Sequence, residues 1–138
     1  MKLIIHCDGG ARGNPGPAAG AFVVFDKSGQ VIYQQGKYIG EGTNNQAEYG
    51  AVWLAVNWLG HNHPLAEVEF RLDSQLVINQ LLGQFKIKKP HLKKMYSQIH
   101  NLILEKKLKI IKFTYVPRDK NFFADNLVNQ TLDAKTSS

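Results

Sequence analysis

Hydrophobic and polar positions along this chain change period several times, and each change marks an element. Residues 2–8 (KLIIHCD) are an apolar run closing on Asp8, which reads as a strand. Residues 19–25 (AGAFVVF) and 31–39 (VIYQQGKYI) read as two more, and the DKSGQ between them carries the turn residues of a hairpin. At Asn45 the period shifts. Ala47, Ala51, Leu54, Ala55 and Trp58 fall at helical spacing, predicting an amphipathic helix over 45–59 that stops at Gly60, with Pro64 beyond. Residues 67–72 (EVEFRL) alternate as a strand and end at Asp73. Ser74 suits the start of a short helix to Leu82, broken by Gly83. Leu92, Met95, Ile99, Leu102 and Ile103 share a face, predicting a helix over 91–107, and 108–116 (LKIIKFTYV) reads as a strand. Residues 117–120 form a loop, Asn121 is a candidate cap, and a last helix carries Ala124, Leu127, Val128 and Leu132. The final AKTSS reads as a frayed tail.

The element order is β-β-β-α-β-α-α-β-α. A hairpin meander followed by alternating strands and helices predicts an α/β domain: a five-stranded mixed sheet, three strands as an antiparallel meander plus two further strands, flanked by helices. The 138 residues suit one domain, drawn as 1–133 with a short tail at 134–138. No repeat or linker divides the chain, and no apolar run approaches the roughly 18 residues of a membrane span. Lys2 is followed by only three apolar residues before His6, so no secretory signal is read here. The single cysteine, Cys7, excludes an internal disulfide framework and points to the cytoplasm. Charge adds a direction. Nine lysines and one acid lie between Lys86 and Lys112, so this segment is +8 against a net +6 for the chain, leaving −2 elsewhere. Such a cluster suits a polyanionic partner, nucleic acid first, or forms a solubilising helix face.

Four acids sit near element boundaries. Asp8 closes the first strand, Glu48 lies in the first turn of the first long helix, Asp73 closes the fourth strand, and Asp125 lies near the start of the last helix. Each alone has an ordinary explanation: a turn aspartate, a helix-dipole partner, a cap, a solvated helix acid. Ligands bind at strand ends in α/β sheets. If the first and fourth strands are neighbours, Asp8 and Asp73 face each other. Clustered carboxylates raise one another's pKa values, and a hard divalent cation such as magnesium, which prefers oxygen ligands, removes that penalty.

The surrounding blocks carry a resemblance. CDGGARGNPGPAAGA, GTNNQAEYGAVWLAV, RLDSQLVINQL and VPRDKNFFADNLVNQ, in this order and spacing over residues 3–132, resemble the four signature blocks of the ribonuclease H family, type I. The resemblance implies an endonuclease that cuts the RNA strand of an RNA/DNA hybrid, leaving 5′-phosphate and 3′-hydroxyl ends. It implies that Asp8, Glu48, Asp73 and Asp125 bind two magnesium ions, with manganese as a possible substitute. Two such ions clamp the attacking and leaving oxygens of an in-line displacement. It places substrate contacts at Gly9, Gly10, Asn14, Thr43, Asn44, Asn45, Gln46, Gln75 and Arg118. Asn14 then reads 2′-hydroxyls, Asn44 faces the DNA strand, and Asn45 and Gln46 face the RNA. The glycine run offers a loop that a nucleic-acid strand can approach closely.

Two departures from the family pattern stand out. The PRDKN loop before Asp125 holds no histidine where many bacterial members carry one, so no proton shuttle is assigned. Residues 83–91 (GQFKIKKPH) join two helices directly, without the protruding basic helix of many bacterial members, which leaves the lysines of 86–94 as the expected grip on phosphates. Other chemistry is not supported. No Gly-Lys-Ser/Thr follows the glycine loop and no GxGxxG follows the first strand. Cys7 has no nucleophile's company and reads as a small buried hydrophobe, His61 and His63 read as a solvated turn, His6 as structural, and Trp53 and Trp58 as packing. Two alternatives stay open: a catalytically weak or inactive binding module for hybrid or double-stranded RNA, and a nuclease of shifted substrate that cuts double-stranded RNA. No membrane and no obligate protein partner are expected.

Overall fold

The computed structural model describes residues 1–136. Strands β1 (Lys2–Ala11), β2 (Gly16–Phe25) and β3 (Val31–Gly42) precede helix α1 (Asn44–Asn62). Then follow β4 (Glu67–Leu72), α2 (Gln75–Leu81), α3 (Pro90–Glu105), β5 (Lys109–Tyr115), a single 3-10 turn at Arg118–Lys120, and α4 (Phe122–Thr136). The five strands form one mixed sheet in the order β3-β2-β1-β4-β5. β1, β2 and β3 pair antiparallel, and β1–β4 and β4–β5 pair parallel.

Alternation along β1 sorts its side chains. Leu3, Ile5 and Cys7 are fully buried on the face that meets α1 and α3, with Phe22, Val24, Phe70 and Leu72 from neighbouring strands. Tyr49, Val52 and Leu59 of α1 and Leu92 and Ile99 of α3 close that core. The opposite face is covered by α4, whose Val128 and Leu132 rest on Ala19 and Ala21. Cys7 is a core hydrophobe, and Trp53 and Trp58 pack partly buried against the same core.

Several boundaries differ from the periodicity, each for a physical reason. β1 does not stop at Asp8 but runs to Ala11, because Gly9, Gly10 and Ala11 pair with the equally small Gly20, Ala19 and Ala18 of β2. The parallel ladder to β4, in contrast, ends at His6↔Arg71. Asp8 therefore keeps β2 on one side while β4 has left the other, and the site opens there. α1 passes through Gly60 to Asn62, and at Gly60 a Cβ would come within 3.0 Å of the Lys106 side chain, so glycine admits that neighbour rather than ending the helix. His61 accordingly sits, exposed, in the last turn of α1, bonded to the Asn57 carbonyl, and the half-buried His63 caps it against the Trp58 ring, so both belong to the helix end rather than to a turn. Glu48 falls in the second turn of α1, not the first, because the helix begins at Asn44 after the Thr43 cap. α4 continues through Ala134 and Lys135 to Thr136, past the tail boundary drawn at 133, with the Lys135 ammonium 5.2 Å from the centre of the Tyr38 ring. Residues 137–138 lie outside the described residues.

Candidate active site

The start of α1 is built by a reciprocal cap. Thr43 Oγ1 accepts from the Gln46 N–H at 3.1 Å, and Gln46 Oε1 accepts from the Thr43 N–H at 2.8 Å. Asn44 ties in the glycine-rich loop: its Oδ1 accepts from the Ala11 N–H at 2.9 Å, and its own N–H donates to Asn14 Oδ1 at 3.0 Å. Beneath these caps Gly9 lies against the helix. A Cβ there would fall 2.2 Å from the Ala47 carbonyl carbon and 2.4 Å from the Glu48 nitrogen. Only glycine permits that approach, so its role in the fold is to bring α1 onto β1. Glu48 is thereby lowered onto Asp8.

Asp8, Glu48 and Asp73 converge: each offers a carboxylate oxygen, and these atoms lie within 4.8 Å of one another. Asp125, in the first turn of α4, lines the same cleft of about 310 Å³ and, after burial and Asp73, adds to the upward push on the Asp8 pKa. Arg118 stands at the mouth, largely exposed, with its guanidinium 3.8 Å from Asp125 Oδ1. Gly10 and Asn44 also line the cleft. Gln75 is exposed in the first turn of α2, Asn45 is half-buried at the start of α1, and Thr43 and Gln46 are engaged with each other.

Burial and crowding make these acids hard to ionise. Asp8 is pushed up to about 8, first by burial and then by the Asp73 charge. Glu48 is held well above the usual carboxylate range by burial, then by the charges of Asp8 and Asp73. Burial also raises Asp73, against hydrogen bonding from Asn121 and the charge of Arg118. Glu48 Oε2 is buried with no hydrogen-bond partner among the described residues. Leaving such an oxygen unsatisfied costs about 1–3 kcal/mol. An oxygen-only donor set, mutually repelling and with one buried oxygen unbonded, fits a hard divalent cation.

One residue of the site was legible only as a helix cap. Asn121 precedes α4 and its carbonyl accepts the Asp125 N–H at 3.1 Å, but its fully buried side chain does not cap. Its Nδ2 donates to the Cys7 carbonyl at 2.8 Å and to Asp73 Oδ2 at 3.3 Å, while Oδ1 meets His6 Nδ1 at 3.1 Å. The amide thus fills the gap where β4 leaves β1. An asparagine before a helix carries an ordinary capping signal, and nothing local in the sequence distinguishes this use. His6, half-buried, has its pKa lowered chiefly by burial.

Comparison with known proteins places this arrangement among relatives. A family model described as Reverse transcriptase-like matches residues 6–131. The chain is 37% identical over 142 residues to a protein of Mycobacterium tuberculosis (strain H37Rv) named as bifunctional, covering all of this chain and 37% of that protein. It is 38% identical to a ribonuclease HI of Halobacterium salinarum, covering 96% of this chain and 65% of that enzyme. The chain thus spans about a third of the mycobacterial relative and just under two thirds of the archaeal one. Among solved structures, LC11-RNase H1 in complex with RNA/DNA hybrid superposes with a TM-score of 0.90 at 41% identity, covering 97% of this chain and 99% of that one.

Proposed function

Because this chain belongs to the ribonuclease H family, type I, we propose that it is an endonuclease that hydrolyses the RNA strand of RNA/DNA hybrids, leaving 5′-phosphate and 3′-hydroxyl ends. The observation that carries this reading is the convergence of Asp8, Glu48 and Asp73 around a cleft that Asp125 also lines. Asp8, Glu48, Asp73 and Asp125 are the residues that would hold two magnesium ions, or manganese in their place. Bound there, the cations supply Lewis-acid stabilisation of charge on the scissile phosphate and a more acidic water. The chain's own residues do the rest. Glu48, seated by the Gly9–Ala47 contact, brings a carboxylate from the helix layer to a strand-borne one. Arg118, 83% exposed, is free to meet a phosphate at the cleft mouth, and Asp125 beside it keeps the guanidinium local. The Asn14–Asn44 pair holds the loop and the start of α1 as one rim. From that rim Asn14 reaches the RNA 2′-hydroxyls and Asn44 the DNA strand, with Gly9, Gly10, Thr43, Asn45, Gln46 and Gln75 in the surrounding contact set. A cytoplasmic location belongs to the same reading and is supported by the single, fully buried thiol of Cys7.

The test is cleavage of a strand-labelled RNA/DNA hybrid beside duplex RNA and duplex DNA, with magnesium, with chelator, and with Asp8→Asn and Asp73→Asn proteins. RNA cuts confined to the hybrid, and abolished in chelator and both variants, are expected. Binding without cuts under every divalent metal would overturn the enzyme reading and leave a binding module. Cuts in duplex RNA would widen the substrate class.

A further inference from the structure

The orientation of the Asn121 amide is dictated by chemistry. The Cys7 carbonyl and the Asp73 carboxylate can only accept, so the Asn121 NH₂ group must face both, at 2.8 and 3.3 Å. Its Oδ1 is then the atom that faces His6 Nδ1 at 3.1 Å, and that nitrogen must carry the hydrogen. A directed chain follows: His6 Nδ1–H to Asn121 Oδ1, Asn121 Nδ2–H to Cys7 O and to Asp73 Oδ2. The amide is fully buried, so it finds no water to replace a missing partner. His6 is also the last β1 residue in the ladder to β4, opposite Arg71. The chain of bonds begins where the two strands part and ends on the acid that β4 delivers.

We infer that His6 is a positioning residue for the metal-binding carboxylates: by donating to Asn121 it locks the amide that sets Asp73 against the strand bearing Asp8. This rests on the reading that these carboxylates bind divalent cations. A hydrogen-bonded partner that orients a ligand typically governs metal affinity by about 10- to 100-fold. His6 has a second contact, an edge-on packing against Phe25 with ring centres 5.2 Å apart. Two variants separate the roles. His6→Phe keeps a ring against Phe25 and removes the donor. His6→Asn loses the ring but places an amide N–H where Nδ1 stood.

The experiment is calorimetric titration of the full chain with manganese alone, without nucleic acid, for wild type and both variants, with thermal melts in chelator alongside. His6→Phe should bind manganese about tenfold more weakly or worse, and His6→Asn should stay within about twofold of wild type, whichever of the two melts lower. Equal affinity in all three proteins overturns the inference. So does weakened binding in both variants, and so does weakened binding in His6→Asn alone, which would assign the effect to the packing on Phe25. If wild type itself takes up no metal, the metal-binding reading has failed, and this inference with it.

Discussion

Asp8 carries a proton that an aspartate in water would have released. Its ordinary value is 3.8, and in the fold it titrates at about 8, through burial first and Asp73 second. Unfolded Asp8 is ionised between those values while folded Asp8 is not, so ionisation favours the unfolded chain across that window. In chelator, this group's contribution to stability is full below about pH 4, falls as pH rises towards 8, and levels off above. The slope is at most about 1.4 kcal/mol per pH unit for one group. Melting in chelator from pH 4 to 9 should show the fall, and saturating magnesium should remove most of it. Asp8→Asn removes the ionisable group and keeps the shape. It should raise the stability of the metal-free protein on the order of 1 kcal/mol while abolishing hybrid cleavage, and a variant less stable than wild type in chelator would contradict this. The candidate acids were legible residue by residue because each stands in its own sequence block. Asn121 was not: its three partners, His6, Cys7 and Asp73, are brought to it only by the pairing of β1 with β4.

At the scale of elements, the decisive contact is β1 against α1. A Cβ on Gly9 meets backbone atoms of Ala47 and Glu48, which cannot swing aside as a side-chain end can. Gly9→Ala should cost about 3 kcal/mol or more, at the upper end of overpacking, read as a lower urea midpoint. The clash lies at the Glu48 nitrogen, so manganese affinity should fall further than the smaller folded fraction explains. Thr43→Ala breaks the reciprocal cap that starts α1, and a destabilisation of about 1 kcal/mol is expected in the same melts. Element types followed well from period: alternation marked β4, helical spacing marked α1 and α3. Ends followed less well. Gly9 and Gly60 read as terminators because glycine weakens isolated elements, whereas here each admits a close neighbour inside a continuing element.

For the whole molecule, the basic segment divides. The lysines of 86–94 are exposed on the α2–α3 connection and the start of α3, whereas Lys106 lies against Gly60 and Lys112 pairs with Glu69 at 3.8 Å. The first group, exposed and clustered at that connection, presents a compact basic surface to phosphates. Replacing Lys86, Lys88, Lys89 and Lys93 with glutamine in an Asp8→Asn background should weaken hybrid binding at low salt and flatten its salt dependence. Every lysine–phosphate pairing removed lowers the log–log slope by about 0.9 on B-form DNA. Fluorescence anisotropy from 50 to 300 mM salt reads this directly, and an unchanged slope would remove these lysines from the interface. Net charge suited a polyanionic partner or a solubilising face, and did not say which lysines would meet a phosphate, since that depends on where β5 returns to the sheet. The order of the strands has a consequence in time. Asp8 leaves the ribosome well before its partners, since Asp125 and the Asn121 strut follow 117 and 113 residues later. At about 5–20 residues per second, a ribosome takes roughly 6–23 seconds to cover that distance. Throughout, the nascent chain holds its first carboxylate with no completed cluster, so the activity of this fold is withheld until translation of the domain is nearly over.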